Sequence, residues 1–184
     1  MKRWMMRWVW GWGVALGTVL VGAEKVDSPV VDAAQILPSD PAWQQALVAK
    51  LDHFEAAAGI RMQFEYHLTS PTAAEDSAPG VYMRRLSAAY GLRQSGVLAV
   101  YFADERDWRI WIGEKLTPRF VGLSGTAEEF TADGRMHEAK EAFLAAAFSR
   151  SAQVATTANS PAVPRVVAET DALVDGLIAK LSPD

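Results

Sequence analysis

Gly96-Val97-Leu98-Ala99-Val100-Tyr101-Phe102 is an uninterrupted apolar run. It is too short for a buried helix and rich in β-branched and aromatic residues, so it reads as a central strand covered on both faces. A strand of that kind needs layers on either side, which constrains the rest of the chain. Ala103 to Asp107 is a polar turn, and Trp108 to Ile112 then alternates, with Trp108, Ile110 and Ile112 on one face and Arg109 and Trp111 on the other. The spacing predicts a hairpin. Further upstream, Ile60 to Leu68 also alternates, with Ile60, Met62, Phe64 and Tyr66 set against Arg61, Gln63, Glu65 and His67. That pattern predicts a strand with one face more buried than the other.

The intervening segments carry helical periods. Asp40-Pro41 has the form of an N-cap followed by proline at the first helical position. Trp43, Leu47, Leu51, Phe54 and Ala58 follow on one stripe, and Gly59 is placed to end the helix. Residues 69–80 form a Ser/Thr/Pro/Ala/Gly loop. Val81 to Tyr90 predicts a second helix with Tyr82, Leu86 and Ala89 inward, ended by Gly91. A short helix is expected around Pro118 to Val121. Asp133 is a candidate N-cap for a helix whose stripe is Met136, Lys140, Phe143, Leu144, Ala147 and Phe148. Residues 149–164 read as an exposed linker. Val166, Thr170, Leu173, Val174, Leu177, Ile178 and Leu181 mark a last helix. Strands separated by helices imply right-handed crossovers. The expected fold is therefore α/β, a three-layer α/β/α sandwich with a mostly parallel central sheet of about four strands.

The first 23 residues have a different character. Lys2, Arg3 and Arg7 precede an uncharged apolar stretch from Trp8 to Val21, and Val21-Gly22-Ala23 offers small residues for cleavage. This is the layout of a secretory signal peptide. Its apolar part is shorter than the roughly 20 residues of a membrane-spanning helix. Cleavage would leave Glu24 as the first residue, while an uncleaved N-terminal anchor is the alternative. Either reading puts the rest of the chain outside the cytoplasm, in the periplasm or beyond. The expected organisation is a signal peptide at 1–23, an α/β domain at 24–150, and a linker with a C-terminal helix packed on that domain at 151–184.

Charge and composition narrow the function classes. The whole chain has a net charge of −4, and its leader carries three basic residues and no acid, so the remainder is more acidic still. A nucleic-acid partner is not expected, because phosphate binding needs clustered Lys and Arg. The chain has no cysteine, which excludes disulfides, thiolate chemistry, Cys-based zinc sites and a lipid anchor on Cys. His53, His67 and His137 are scattered without metal-pair spacing. No Gly-x-Ser-x-Gly motif occurs.

Asp104-Glu105-Arg106-Asp107 follows the expected central strand, where open α/β sheets place ligands. Asp104, Glu105 and Asp107 could hold a hard cation, Ca²⁺ or Mg²⁺, through oxygen ligands. Such a cation could polarise a phosphoryl group. The competing reading is a solvated hairpin turn with a surface ion pair. Asp32 could reach the same end of the sheet or serve as a local turn cap. An exposed Trp108 or Trp111 beside an edge strand would suit partner docking, and core packing is the alternative.

Several segments together resemble the TPM domain family, over residues 31 to 148. The resemblance rests on Val31-Asp32-Ala33-Ala34-Gln35-Ile36-Leu37-Pro38, on Phe54-Glu55-Ala56-Ala57-Ala58-Gly59-Ile60 running from helix into strand, and above all on the segments from Gly96 to Gly113. The chain departs from the family after Gly113, where Glu114-Lys115-Leu116 replaces a second glycine, and in the loop 69–80. The resemblance implies an exported or membrane-tethered α/β domain, related to a thylakoid lumen protein of photosystem II repair. It implies Asp32 as the acidic residue before the first helix, with calcium binding or acid phosphatase activity at the acidic turn. The resulting expectation is a monomeric binding or accessory module acting on envelope or membrane proteins, with a weak metal-assisted acid phosphatase as the alternative.

Overall fold

A computed structural model of the chain describes residues 28–157 and 164–183. The expected leader at 1–23, and the part of the expected linker from 158 to 163, lie outside the described residues. No helix among the described residues is long and apolar enough to cross a membrane.

Strand β1 (Val30–Val31) leads through helix α1 (Pro41–Ala58) to β2 (Met62–His67), and helix α2 (Val81–Ala89) leads to β3 (Val97–Phe102). Strand β4 (Asp107–Ile112) follows directly, then helices α3 (Thr117–Val121), α4 (Ala127–Ala132), α5 (Arg135–Thr157) and α6 (Arg165–Leu181). The sheet order is β1-β2-β3-β4. The first three strands run parallel and β4 is antiparallel to β3, with Phe102 opposite Asp107 at the hairpin end. This is a mixed α/β fold with an open, mostly parallel sheet.

Local signals account for α1. The Asp40 carboxylate accepts from the backbone N–H groups of Ala42 and Trp43, and Gly59 takes the left-handed conformation (φ 68°) at the other end. Helix α4 is held by a reciprocal capping box between Thr126 and Glu129. Residues 149–157, expected as linker, continue α5 instead. Their Ser/Ala/Thr composition is neutral enough that the preceding helix propagates through it. In α2 the inward positions are Met83 and Ser87, with Tyr82, Leu86 and Tyr90 half-buried, while Ala89 is exposed, contrary to the periodic reading.

Two apolar clusters flank the sheet. Met62, Phe64 and Tyr66 of β2 and Val97, Ala99 and Tyr101 of β3 join α1, α5 and α6 on one face. Leu98, Val100 and Phe102 join Met83 and Leu92 on the other, beneath α2. Helices α1 and α2 therefore lie on opposite faces while the strands they connect advance in one direction. Parallel connections of that geometry must differ in hand, so one of the two departs from the right-handed rule expected from the sequence. The long 68–80 segment ahead of α2 gives the chain the reach to change face.

Helix α6 closes the larger cluster with Leu173, Val174, Leu177 and Leu181, all fully buried. Its Thr170 hydroxyl donates to the Val166 carbonyl (2.7 Å), so the buried Tyr66 hydroxyl donates to Thr170 Oγ1 (2.8 Å). Removing that acceptor strands a buried phenol. Thr170→Val is expected to cost about 1–3 kcal/mol. Adding Tyr66→Phe should recover a large part of the loss, and a double-mutant cycle in urea measures both.

Candidate functional site

The four carboxylates singled out from the sequence are each engaged by the protein. Asp104 accepts from the Ser70 backbone N–H (2.9 and 3.0 Å), from Ser70 Oγ (3.0 Å) and from the Glu105 N–H (2.9 Å). These donors, the Ser70 N–H first, hold its carboxyl below the usual range. Both Glu105 carboxylate oxygens accept from Arg109 Nη2 (2.9 and 3.1 Å). Asp107 accepts from the Trp108 N–H (2.8 Å). Asp32 caps the turn before α1, accepting from Ile36 and Leu37 N–H (2.9 and 2.8 Å). Arg106 closes the hairpin in the left-handed region (φ 53°). Among the described residues, no group of three His, Asp or Glu side chains is placed to hold a metal ion. The acidic turn works as a clamp: Asp104 ties the 68–80 loop to the end of β3, and Arg109 joins Glu105 to Asp76 of that loop (3.2 Å).

Sequence reasoning missed a polar seam on the same face. Glu65, which alternation assigned to the less buried face of β2, is buried, with its Oε2 2.7 Å from His67 Nε2. Burial pushes the Tyr90 hydroxyl up, and the nearby Glu65 carboxylate adds to this. The pair has the form of a carboxylate-oriented imidazole at the C-terminal end of a parallel strand. Three polar residues alternating on a strand that is paired on both sides were the available signal.

A larger concavity lies elsewhere. Beside β4, the terminal strand of the sheet, an open groove of about 820 Å³ runs between Trp111, α4 and the start of α5. Trp108 and Trp111 separate as the alternation requires: Trp108 is in the core and Trp111 is half-buried in this groove. The Lys140 ammonium sits 5.8 Å from the centre of the Trp111 ring. Its amine is pushed down to about 8 by burial. Arg93 pairs with Glu114 (3.0 Å), which also accepts from Gln94 (2.6 Å), so that carboxylate is neutralised by its neighbours.

No family model matches the chain, and no curated protein matches it. Among solved structures, it is similar to the N-terminal domain of the cg2496 protein from Corynebacterium glutamicum. The identity is 15%, the TM-score 0.50, and the match covers 86% of this chain and 83% of that one. It is also matched to an N-terminal domain of a protein from P. gingivalis, at 13% identity and a TM-score of 0.44, over 84% of each chain. The first likeness shows the fold alone.

Two outcomes follow from this geometry. Asp104→Asn should loosen the 68–80 loop and raise its rate of proteolytic cleavage without changing the thermal response to Ca²⁺ or Mg²⁺. The Asp104 contribution is present above pH of about 4, the unfolded carboxylate value, and is lost as pH falls through the lower folded value. Lys140 has the opposite sense. Its folded value lies below its unfolded one, so its burial opposes folding at low pH and stability rises as pH climbs from about 8 toward 10. Lys140→Met, which keeps the stem over Trp111 and removes the charge, should leave the melting temperature equal or higher at pH 7.

Proposed function

We propose that the chain is an exported, TPM-like module that binds envelope or membrane proteins through the groove beside β4. In this reading the domain is a three-layer α/β/α sandwich and works as a monomer, after cleavage of its leader or held by it at a membrane. The observation that carries the proposal is the pairing of an edge strand with a wide groove holding a half-buried tryptophan and an amine, on a domain whose acidic turn serves as a structural clamp. Half-buried aromatic rings flanked by cations are the side chains that anchor protein interfaces.

Metal-assisted phosphatase activity at Asp104, Asp107, Glu105 and Asp32 is the rival. It would require Asp104 to release Ser70 and Glu105 to release Arg109 before either could bind Ca²⁺ or Mg²⁺. One experiment separates the two readings. A photocrosslinking residue at position 115, on the groove rim, should give discrete adducts in envelope extract, and one at position 106, in the acidic turn, should not. Turnover of p-nitrophenyl phosphate with Ca²⁺, Mg²⁺ or Mn²⁺ should stay at background. Turnover that disappears in Asp104→Asn and Asp107→Asn would reverse the assignment to an enzyme.

A further inference from the structure

The β4 groove is asymmetric in charge on a chain that is acidic as a whole. Arg84, Arg93, Lys115 and Lys140 line it, against Glu114 and Glu128. Glu114 is already matched by Arg93 and Gln94. Lys140 is different from the rest. Burial is the sole cause acting on its amine, and its neighbour is the face of Trp111 rather than a carboxylate. A half-buried cation lining an open groove beside a ring, with that ring as its neighbour in place of a carboxylate, is the half of an ion pair that a ligand can complete.

We propose, building on the binding-module reading above, that this groove takes an acidic segment of a partner protein, with one ligand carboxylate seated on Lys140. Three features select an acidic peptide over a dense polyanion. Glu128 lies among the basic lining residues, an unfavourable neighbour for a dense run of phosphates that a peptide with spaced acidic side chains can avoid. Met136, Pro118 and Ile112 add apolar surface for the residues between those acids. The groove also reaches the end of β4 at Trp111 and Ile112, and the outer side of β4 has no strand partner in the sheet, so an extended peptide leaving the groove could continue along that edge.

Fluorescence anisotropy with a fluorescein-labelled octapeptide of alternating Val and Glu tests this at pH 7 and low salt. Peptides alternating Val with Ser and Val with Lys are the comparisons, and inorganic phosphate is the competitor. The Val–Glu peptide should bind at least roughly tenfold more tightly than the Val–Ser peptide, and Lys140→Met should remove roughly tenfold, the scale of a charge-assisted hydrogen bond. Arg84→Gln, at an exposed position, should weaken binding by only about two- to fivefold. Binding to the native chain should fall as pH rises beyond about 8, and Lys140→Arg should flatten that dependence because arginine stays protonated. Equal affinity for the Val–Glu and Val–Ser peptides would overturn the acidic ligand while leaving a peptide groove in place. Full affinity in Lys140→Met, or displacement by millimolar phosphate, would overturn Lys140 as a peptide-carboxylate site. Absence of binding by all three peptides would overturn the acidic-peptide proposal, and joined to absent crosslinks at position 115 it would remove the binding-module reading as well.

Discussion

Three consecutive residues of α6 hold three aromatic rings from three other elements, and the larger core is organised around them. Glu169 accepts from the Trp108 indole of β4 (3.1 Å), Thr170 accepts from the Tyr66 hydroxyl of β2 (2.8 Å), and Asp171 accepts from the Trp43 indole of α1 (3.1 and 3.2 Å). Each ring is large and carries a single polar atom that must find a partner when buried. A greasy helix could cover the same sheet in several registers. Polar atoms at 169, 170 and 171 admit one, because a shift along the helix would leave those donors unmatched at a cost comparable to a lost hydrogen bond each. Arg165, one turn earlier on α6, neutralises Glu169 from outside and lets a carboxylate stay in the core. Helix α6 thus fixes the placement of α1 and of two strands.

That fixed face explains why the opposite end of the hairpin is free for other work. With Trp108 drawn into the core, alternation turns Arg109 and Trp111 to the α2 side. Arg109 lies 4.9 Å from the Phe102 ring centre and is gripped by Asp76 and Glu105. Trp111, nearer the other end of the strand, lines the open groove and meets Lys140. One strand therefore has a closed, salt-bridged end and an open, cationic end. The carboxylates that made the turn look like a metal site are the ones that close it.

Much of the framework was legible because it is written in local periods. The α1 caps at Asp40 and Gly59, the apolar β3 run and the separation of Trp108 and Trp111 onto opposite faces all depend on residues within a few positions of one another. Features set by distant elements were not. Alternation put Glu65 on the less buried face of β2, and its burial is set by distant residues, Tyr90 at the end of α2 among them, on a helix that arrives by a connection whose hand no local pattern specifies. The two-residue β1 is strand only through its pairing with Phe64 and Glu65. Helix α4 was the avoidable miss, since Thr126 and Glu129 carry the capping-box spacing. Asp104 reads from the sequence as a candidate cation ligand, and its role as a loop tether depends on Ser70, thirty-four positions away.

Lys140 shows how a single out-of-pattern residue can be read from both levels. In the sequence it occupies an inward position of the α5 stripe, between Met136 and Phe143, where a lysine breaks the apolar period. A lysine there could extend to water, and its stem would then serve only as cover for Trp111. The amine instead lies half-buried over the ring at the groove wall, where partial loss of water pushes it down and costs free energy that a methionine or leucine at the same place would not. Stability alone does not favour that choice. A charge retained against the stability of its own fold belongs with the sites where structure is arranged for something that arrives from outside.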